Sequence, residues 1–85
     1  MTAPDPKDRY MVPGLERGLK LLQCFSRDNP VQLPGDLART LDLPRSTVFR
    51  LLHTLETMGL LLRADNGYRL GPAVLGLGFE YLSTL

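Results

Sequence analysis

The stretch from Asp42 to Leu62 constrains the fold of this chain more than any other segment. It contains Pro44, which suits a helix start, then short polar and basic residues, then apolar residues at helical spacing as far as Gly59. Glycine is the residue most often found just beyond the last turn of a helix. The pattern predicts a helix over residues 44–58.

The two faces of this helix differ in chemistry. The predicted core face carries Val48, Leu51, Leu52, Leu55 and Met58. The predicted outward face carries Ser46, Phe49, Arg50, His53 and Thr57. A helix with one apolar face and a first turn rich in hydrogen-bond donors is typical of a recognition helix that enters the DNA major groove.

Two shorter helices are predicted before it. The first begins at Pro13, carries one apolar stripe and ends in the polar turn of residues 26–30; the stripe is Leu15, Leu19, Leu22 and Phe25, widened by Leu21. The second covers residues 34–40 and turns its apolar residues inward; these are Leu37, Ala38 and Leu41. Its start is weak, because Leu33 is a poor cap and Gly35 disfavours helix. Asp42 is expected in a left-handed turn before the recognition helix.

After Gly59 the sequence predicts a two-stranded hairpin. Residues 60–63 form a short apolar run, residues 64–67 contain the Asn-Gly turn signal, and residues 68–70 return. Residues 71–85 predict a last helix that is apolar nearly all round, with Glu80 as its one charge. The predicted fold is therefore mostly α with a small β-wing, a winged helix-turn-helix with a three-helix core.

Composition narrows the possible functions. The chain has 85 residues and a net charge of +1, so it suits one small core, and overall charge does not announce a nucleic-acid ligand. Its one cysteine, Cys24, cannot form an internal disulfide and is expected to be a small buried apolar residue. The sequence predicts no secretory signal, no membrane span, no cofactor and no metal site. It predicts a protein of the cytoplasm, which is a reducing compartment. Ser46 and His53 are two helical turns apart, too far for a nucleophile and base, so no enzyme is predicted.

Candidate DNA contacts lie on the recognition helix and the wing. Arg45 and Arg50 suit phosphate or guanine, while Ser46 and Thr47 are short enough to let the helix approach base edges. The predicted DNA-binding set is Arg45, Ser46, Thr47, Phe49, Arg50, His53, Arg63 and Arg69. Two alternatives stay open for Phe49, which either meets a sugar or a base methyl or folds back onto the second helix. His53 is more typical of a rim residue.

Four segments resemble the N-terminal domain of the IclR-type transcriptional regulators. They are residues 12–19 (VPGLERGL), 43–52 (LPRSTVFRLL), 55–60 (LETMGL) and 68–71 (YRLG). The resemblance covers roughly residues 12–85 in order and spacing. This chain departs from the family pattern at Leu33, Gly35 and Asp36 in the second helix and at Asp42 in the turn, where the family commonly has glycine.

The resemblance implies a homodimer or tetramer that binds double-stranded DNA at a near-palindromic operator and represses or activates transcription in a bacterium or archaeon. It implies dimer contacts on the first and last helices, where the candidates are Leu15, Leu19, Leu22, Leu75, Phe79 and Leu82. It also implies a C-terminal domain, absent from these residues, that binds a small-molecule effector. The expected organisation is a flexible arm (1–12), a DNA-binding domain (13–70) and a linker helix (71–85). The alternative function is a winged helix used for protein contact or dimerisation without DNA binding.

Overall fold

In a computed structural model, which describes residues 6–85, three helices pack around one core, followed by a hairpin and a last helix. The helices are α1 (Pro13–Leu22), α2 (Pro34–Leu41), α3 (Arg45–Thr57) and α4 (Ala73–Ser83), and the strands are β1 (Leu61–Ala64) and β2 (Gly67–Leu70). The predicted mostly helical fold with a two-stranded wing is confirmed. None of the described helices is long and apolar enough to cross a membrane.

The segment predicted as a flexible arm contains one element of regular structure. Pro6–Tyr10 form a 3₁₀ helix, and residues 8–12 are exposed. Residues 1–5 and the side chains of Pro6 and Lys7 lie outside the described part of the chain.

The core lies where α1, α2, α3 and the hairpin meet. Its fully buried side chains are Leu21, Leu37, Val48, Leu52 and Leu61, and it is completed by Phe25, Ala38, Leu55 and Tyr68. Met58 was predicted on the core face of α3 and is instead 62% exposed, because the helix ends at Thr57 and the chain turns away at Gly59. The stripe predicted on the first helix is divided: Leu21 and Phe25 are buried in the core, Leu22 is half-buried, and Leu15 and Leu19 are exposed.

The turn between α2 and α3 is closed by backbone hydrogen bonds. Asp42 has a φ of 54°, in the left-handed region, as predicted. Its N–H donates to the Arg39 carbonyl, and the Leu43 N–H donates to the Ala38 carbonyl at 3.0 Å. These two bonds form the Schellman pattern that satisfies the last carbonyls of a helix. They fix the angle at which α3 leaves α2.

The end of α3 repeats the same closure with a glycine. Gly59 has a φ of 79°, and the Leu60 N–H donates to the Leu55 carbonyl at 2.9 Å. A glycine takes this left-handed conformation without the clash that a Cβ brings. The chain then enters β1 directly, which places the wing beside the recognition helix.

The wing is attached to the helical core by a third extended segment that sequence analysis missed. Gln32 pairs with Tyr68 in an isolated antiparallel bridge, with both backbone hydrogen bonds at 2.9 Å. Gly67 lies against Gln32 so closely that a Cβ there would overlap the Gln32 carbonyl group. The glycine of the Asn-Gly pair thus allows a close backbone approach, whereas the left-handed residue of the turn is Asp65, with a φ of 52°.

Candidate nucleic-acid interface

The outward face of α3 is exposed along its length. Arg45, Ser46, Arg50 and His53 are exposed, and Thr47 is half-buried at the edge nearer to α1. No side chain caps the start of this helix, so its first N–H groups are free to meet a phosphate. The face therefore presents two guanidinium groups and two hydroxyl groups at the end of the helix that would enter a groove first.

Arg45 reaches back toward the start of α2. Its Nη2 atom is 2.7 Å from the position that a Cβ on Gly35 would occupy. A larger residue at position 35 would have to displace this guanidinium. Gly35, which disfavours helix, thus leaves room for a basic side chain at the edge of the interface.

Arg17 of α1 belongs to the same surface and was missed in the sequence. A polar cleft is lined by Gly14 and Arg17 of α1 together with Thr47, Arg50 and Thr54 of α3. Arg17 is exposed and forms no ion pair within residues 6–85. The sequence signal was only that Arg17 lies off the apolar stripe of α1, and the approach of α1 to α3 is what brings it beside Arg50.

The two wing arginines lie on opposite faces of the hairpin. Arg63 pairs with Tyr68 and Leu62 pairs with Arg69, and residues paired across two strands share one face. The Arg63 guanidinium is 4.8 Å from the centre of the Tyr68 ring and 3.5 Å from the Glu56 carboxylate. Arg63 thus contacts both α3 and β2. Arg69 lies on the opposite face of the hairpin, where it lines a cleft with Arg27.

The predicted dimer contacts form a second, apolar surface. A groove of about 350 Å³ runs between α1 and the second half of α3, lined mainly by Leu15, Leu19, Leu22, Leu51, Leu55 and Met58. Helix α4 has no buried residue, and its Leu75, Phe79 and Leu82 are all more than half exposed. This groove adjoins the polar cleft beside Arg50, because Gly14, Leu51 and Thr54 line both, whereas Arg45, Ser46 and His53 line neither.

Cys24 lies outside both surfaces. Its side chain is half-buried and its Sγ is 3.5 Å from the Lys20 carbonyl oxygen. Partial burial raises the pKa of the Cys24 thiol, since burial disfavours the thiolate. Among residues 6–85 no cluster of histidine, cysteine and carboxylate side chains is suited to hold a metal ion.

A helix pair joined by a tight turn, an exposed basic helix and an adjoining hairpin together define a winged helix-turn-helix domain. The family model of the IclR helix-turn-helix domain matches residues 14–65. The chain belongs to this family.

Named relatives agree with the family assignment. The chain is 34% identical over 77 residues to the Pca regulon regulatory protein of Pseudomonas putida, covering 91% of this chain and 26% of that protein. It is 30% identical over 80 residues to the HTH-type transcriptional repressor AllR of Salmonella paratyphi A, covering 92% of this chain and 29% of the repressor. It therefore spans less than a third of the length of these two relatives.

Solved structures give the same fold. An IclR family transcriptional regulator from Brucella abortus matches with a TM-score of 0.88 and 34% identity, covering 100% of this chain and 33% of the regulator. An IclR homolog from Microbacterium hydrocarbonoxydans, complexed with 4-hydroxybenzoate, matches with a TM-score of 0.70 and 32% identity, covering 75% of this chain and 27% of the homolog.

Proposed function

We propose that the protein binds double-stranded DNA at a specific near-palindromic operator and thereby regulates transcription in the cytoplasm. The observation that carries the proposal is the exposed start of α3, where Arg45, Ser46 and Arg50 are exposed and Thr47 lies half-buried at the edge. Arginine forms bidentate hydrogen bonds to guanine, and short hydroxyl side chains let the helix approach the bases. No enzymatic activity is part of the proposal.

Arg17 and the wing extend this surface to the DNA backbone. Arg17 lies beside Arg50 on one flank of α3, and Arg63 of the wing lies beside Glu56 on the other flank. Contacts to phosphate position a protein on the duplex without reading sequence. We assign Arg17 and the wing arginines Arg63 and Arg69 to that role. His53 is assigned to the rim of the interface.

The working unit is a homodimer, or a tetramer built from dimers. The exposed apolar residues of α4 match the chemistry of the groove between α1 and α3, and apolar surfaces of this extent mark interaction sites. We propose that α1 and α4 of two copies pack together through Leu15, Leu19, Leu22, Leu75, Phe79 and Leu82. A two-fold dimer would present two recognition helices to two half-sites, which matches a near-palindromic operator.

The relatives also suggest an effector. The Microbacterium hydrocarbonoxydans homolog was solved with 4-hydroxybenzoate, and the chain spans 27% of that homolog. We propose that a small aromatic or organic acid acts on the full-length regulator through a C-terminal domain beyond these 85 residues.

The first test is selection of DNA from a random pool on the purified chain, with its mass in solution measured in parallel. We expect a dimer that recovers a palindromic motif. Affinity for that motif should fall steeply with salt, because arginines that contact phosphates release counterions.

A second candidate function is protein contact alone, which the apolar surface of α1 and α4 favours. In that case a stable dimer would recover no motif, and its association would be insensitive to salt. Arg50→Ala separates the two functions, because it should weaken operator binding by about 1–3 kcal/mol and leave dimerisation and thermal stability unchanged. Unchanged operator affinity in this variant would mean that the DNA-facing side of α3 is wrongly assigned.

A further inference from the structure

Phe49 is an apolar side chain surrounded by polar and basic ones. It lies in α3 and is 51% exposed. Residues three and four positions apart are neighbours on a helix, so Phe49 lies beside Arg45, Ser46 and His53 and, toward the core, beside the buried Leu52. Arg45, Ser46 and His53 are exposed.

The Phe49 ring lies outside the core. Phe49 is absent both from the buried core and from the partly buried apolar residues that pack against the core. Folding back onto the second helix would bury the ring, whereas 51% of its surface is exposed.

The dimer groove does not account for Phe49 either. That groove meets α3 at Leu51, Leu55 and Met58. Successive residues on a helix are turned by about 100°, so Phe49 points about 200° away from Leu51. Its exposed ring therefore belongs to the face that carries the DNA contacts.

The major groove offers one apolar group to such a ring. Thymine alone carries a C5-methyl group there, and phenylalanine is among the side chains that contact it. Phenylalanine has no hydrogen-bonding group, so it cannot read a donor or acceptor on a base edge. We propose that Phe49 contacts the C5-methyl group of one thymine in each half-site and selects a T·A pair at that position.

This inference rests on the proposed DNA-binding function, and its test uses the operator recovered by selection. Each symmetric pair of thymines is replaced in turn by deoxyuridine, which removes the methyl group and keeps the hydrogen-bonding pattern. Affinities are measured at one fixed salt concentration for the wild type and for Phe49→Ala.

We expect one thymine position at which the wild type loses about fourfold in affinity per half-site. This corresponds to the roughly 0.8 kcal/mol of one buried apolar carbon group. Phe49→Ala should bind the thymine and deoxyuridine operators equally well at that position, because the group that senses the methyl is gone. In a double-mutant cycle, the loss of affinity caused by deoxyuridine and the loss caused by Phe49→Ala should thus be non-additive.

Two further variants serve as controls for Phe49→Ala. Phe49→Leu keeps an apolar side chain and should retain part of the methyl sensitivity, which also guards against any folding defect of the alanine variant. Arg50→Ala should bind every operator more weakly and keep the full sensitivity.

Two results would overturn the inference while leaving DNA recognition intact. In one, no deoxyuridine substitution weakens wild-type binding, as expected if the ring lies on a sugar. In the other, Phe49→Ala keeps the same methyl sensitivity as the wild type. Failure of a stable dimer to recover any operator would instead remove the proposed function and this inference together.

Discussion

Replacing Gly67 with alanine should open the backbone bridge between the wing and Gln32. A Cβ at this position would overlap the Gln32 carbonyl group and lie 3.1 Å from a methyl carbon of Leu33. The first of these contacts is with backbone, which cannot rotate away as a side chain can. The bridge between Gln32 and Tyr68 would therefore have to open.

The cost follows from the two hydrogen bonds of this bridge. Each is 2.9 Å long, and a typical intramolecular hydrogen bond contributes about 0.5–1.5 kcal/mol to stability. Their loss predicts a destabilisation of about 1–3 kcal/mol. In a domain of this size each kcal/mol lowers the melting temperature by about 4–8 °C.

Chemical denaturation and thermal melting of Gly67→Ala measure this directly. Gly76→Ala is the matched control, because a Cβ at position 76 meets nothing within 4 Å and alanine favours helix by about 1 kcal/mol relative to glycine. The two variants should therefore move in opposite directions. If Gly67→Ala melted at the wild-type temperature or above, the close approach of Gln32 to the wing would be refuted.

Three further predictions follow from the helix ends, the core and the cysteine. The backbone at Asp42 and at Gly59 is in the left-handed region, which glycine adopts more easily than other residues. Asp42→Gly should therefore stabilise the domain by up to about 1 kcal/mol, and Gly59→Ala should destabilise it by about 1–2 kcal/mol. Equal denaturation midpoints for the two variants would contradict this. Leu52→Ala should cost about 2–5 kcal/mol and half-buried Leu51→Ala clearly less, so equal losses by the same assay would place Leu51 in the core. Alkylation of Cys24 should be slow at neutral pH and reach half of its maximal rate only above the ordinary thiol pKa of about 8.5, and a half-maximal rate below that pH would contradict the raised pKa.

The elements that the sequence predicted correctly are those with local causes. Pro34, Pro44 and Gly59 lie at helix ends in the structure, because proline suits a first turn and glycine suits a left-handed exit. The hairpin was predicted correctly from Asn66 and Gly67, but for a different reason. Gly67 is needed there because the Gln32 backbone lies against it, and the left-handed residue of the turn is Asp65. The bridge at Gln32 was missed because it joins segments far apart in the chain, and a single paired residue leaves no periodic pattern.

The site shows the same distinction between local and distant causes. Arg45, Ser46 and Arg50 were found because helical spacing alone separates them from the core face. Arg17 was not found, because its position beside Arg50 depends on how α1 crosses α3. A Cβ at Gly18 would lie 3.9 Å from a Leu51 methyl carbon, an ordinary packing distance, so α1 and α3 are close neighbours at this point.

Helix α1 shows why periodicity cannot separate a core from an interface. Two sets of residues in α1 follow the helical period, one being Leu15, Leu19 and Leu22 and the other Gly18, Leu21 and Phe25. If the helix is extended to Phe25, the second set is rotated by about 90° around the axis from the first. The structure buries the second set in the core and leaves Leu15 and Leu19 of the first set exposed. An apolar arc of this width exceeds what one small core can cover, and the helix has polar residues elsewhere. The width of the arc, rather than its period, is the sequence signal that α1 contributes to the core and also leaves an apolar surface exposed.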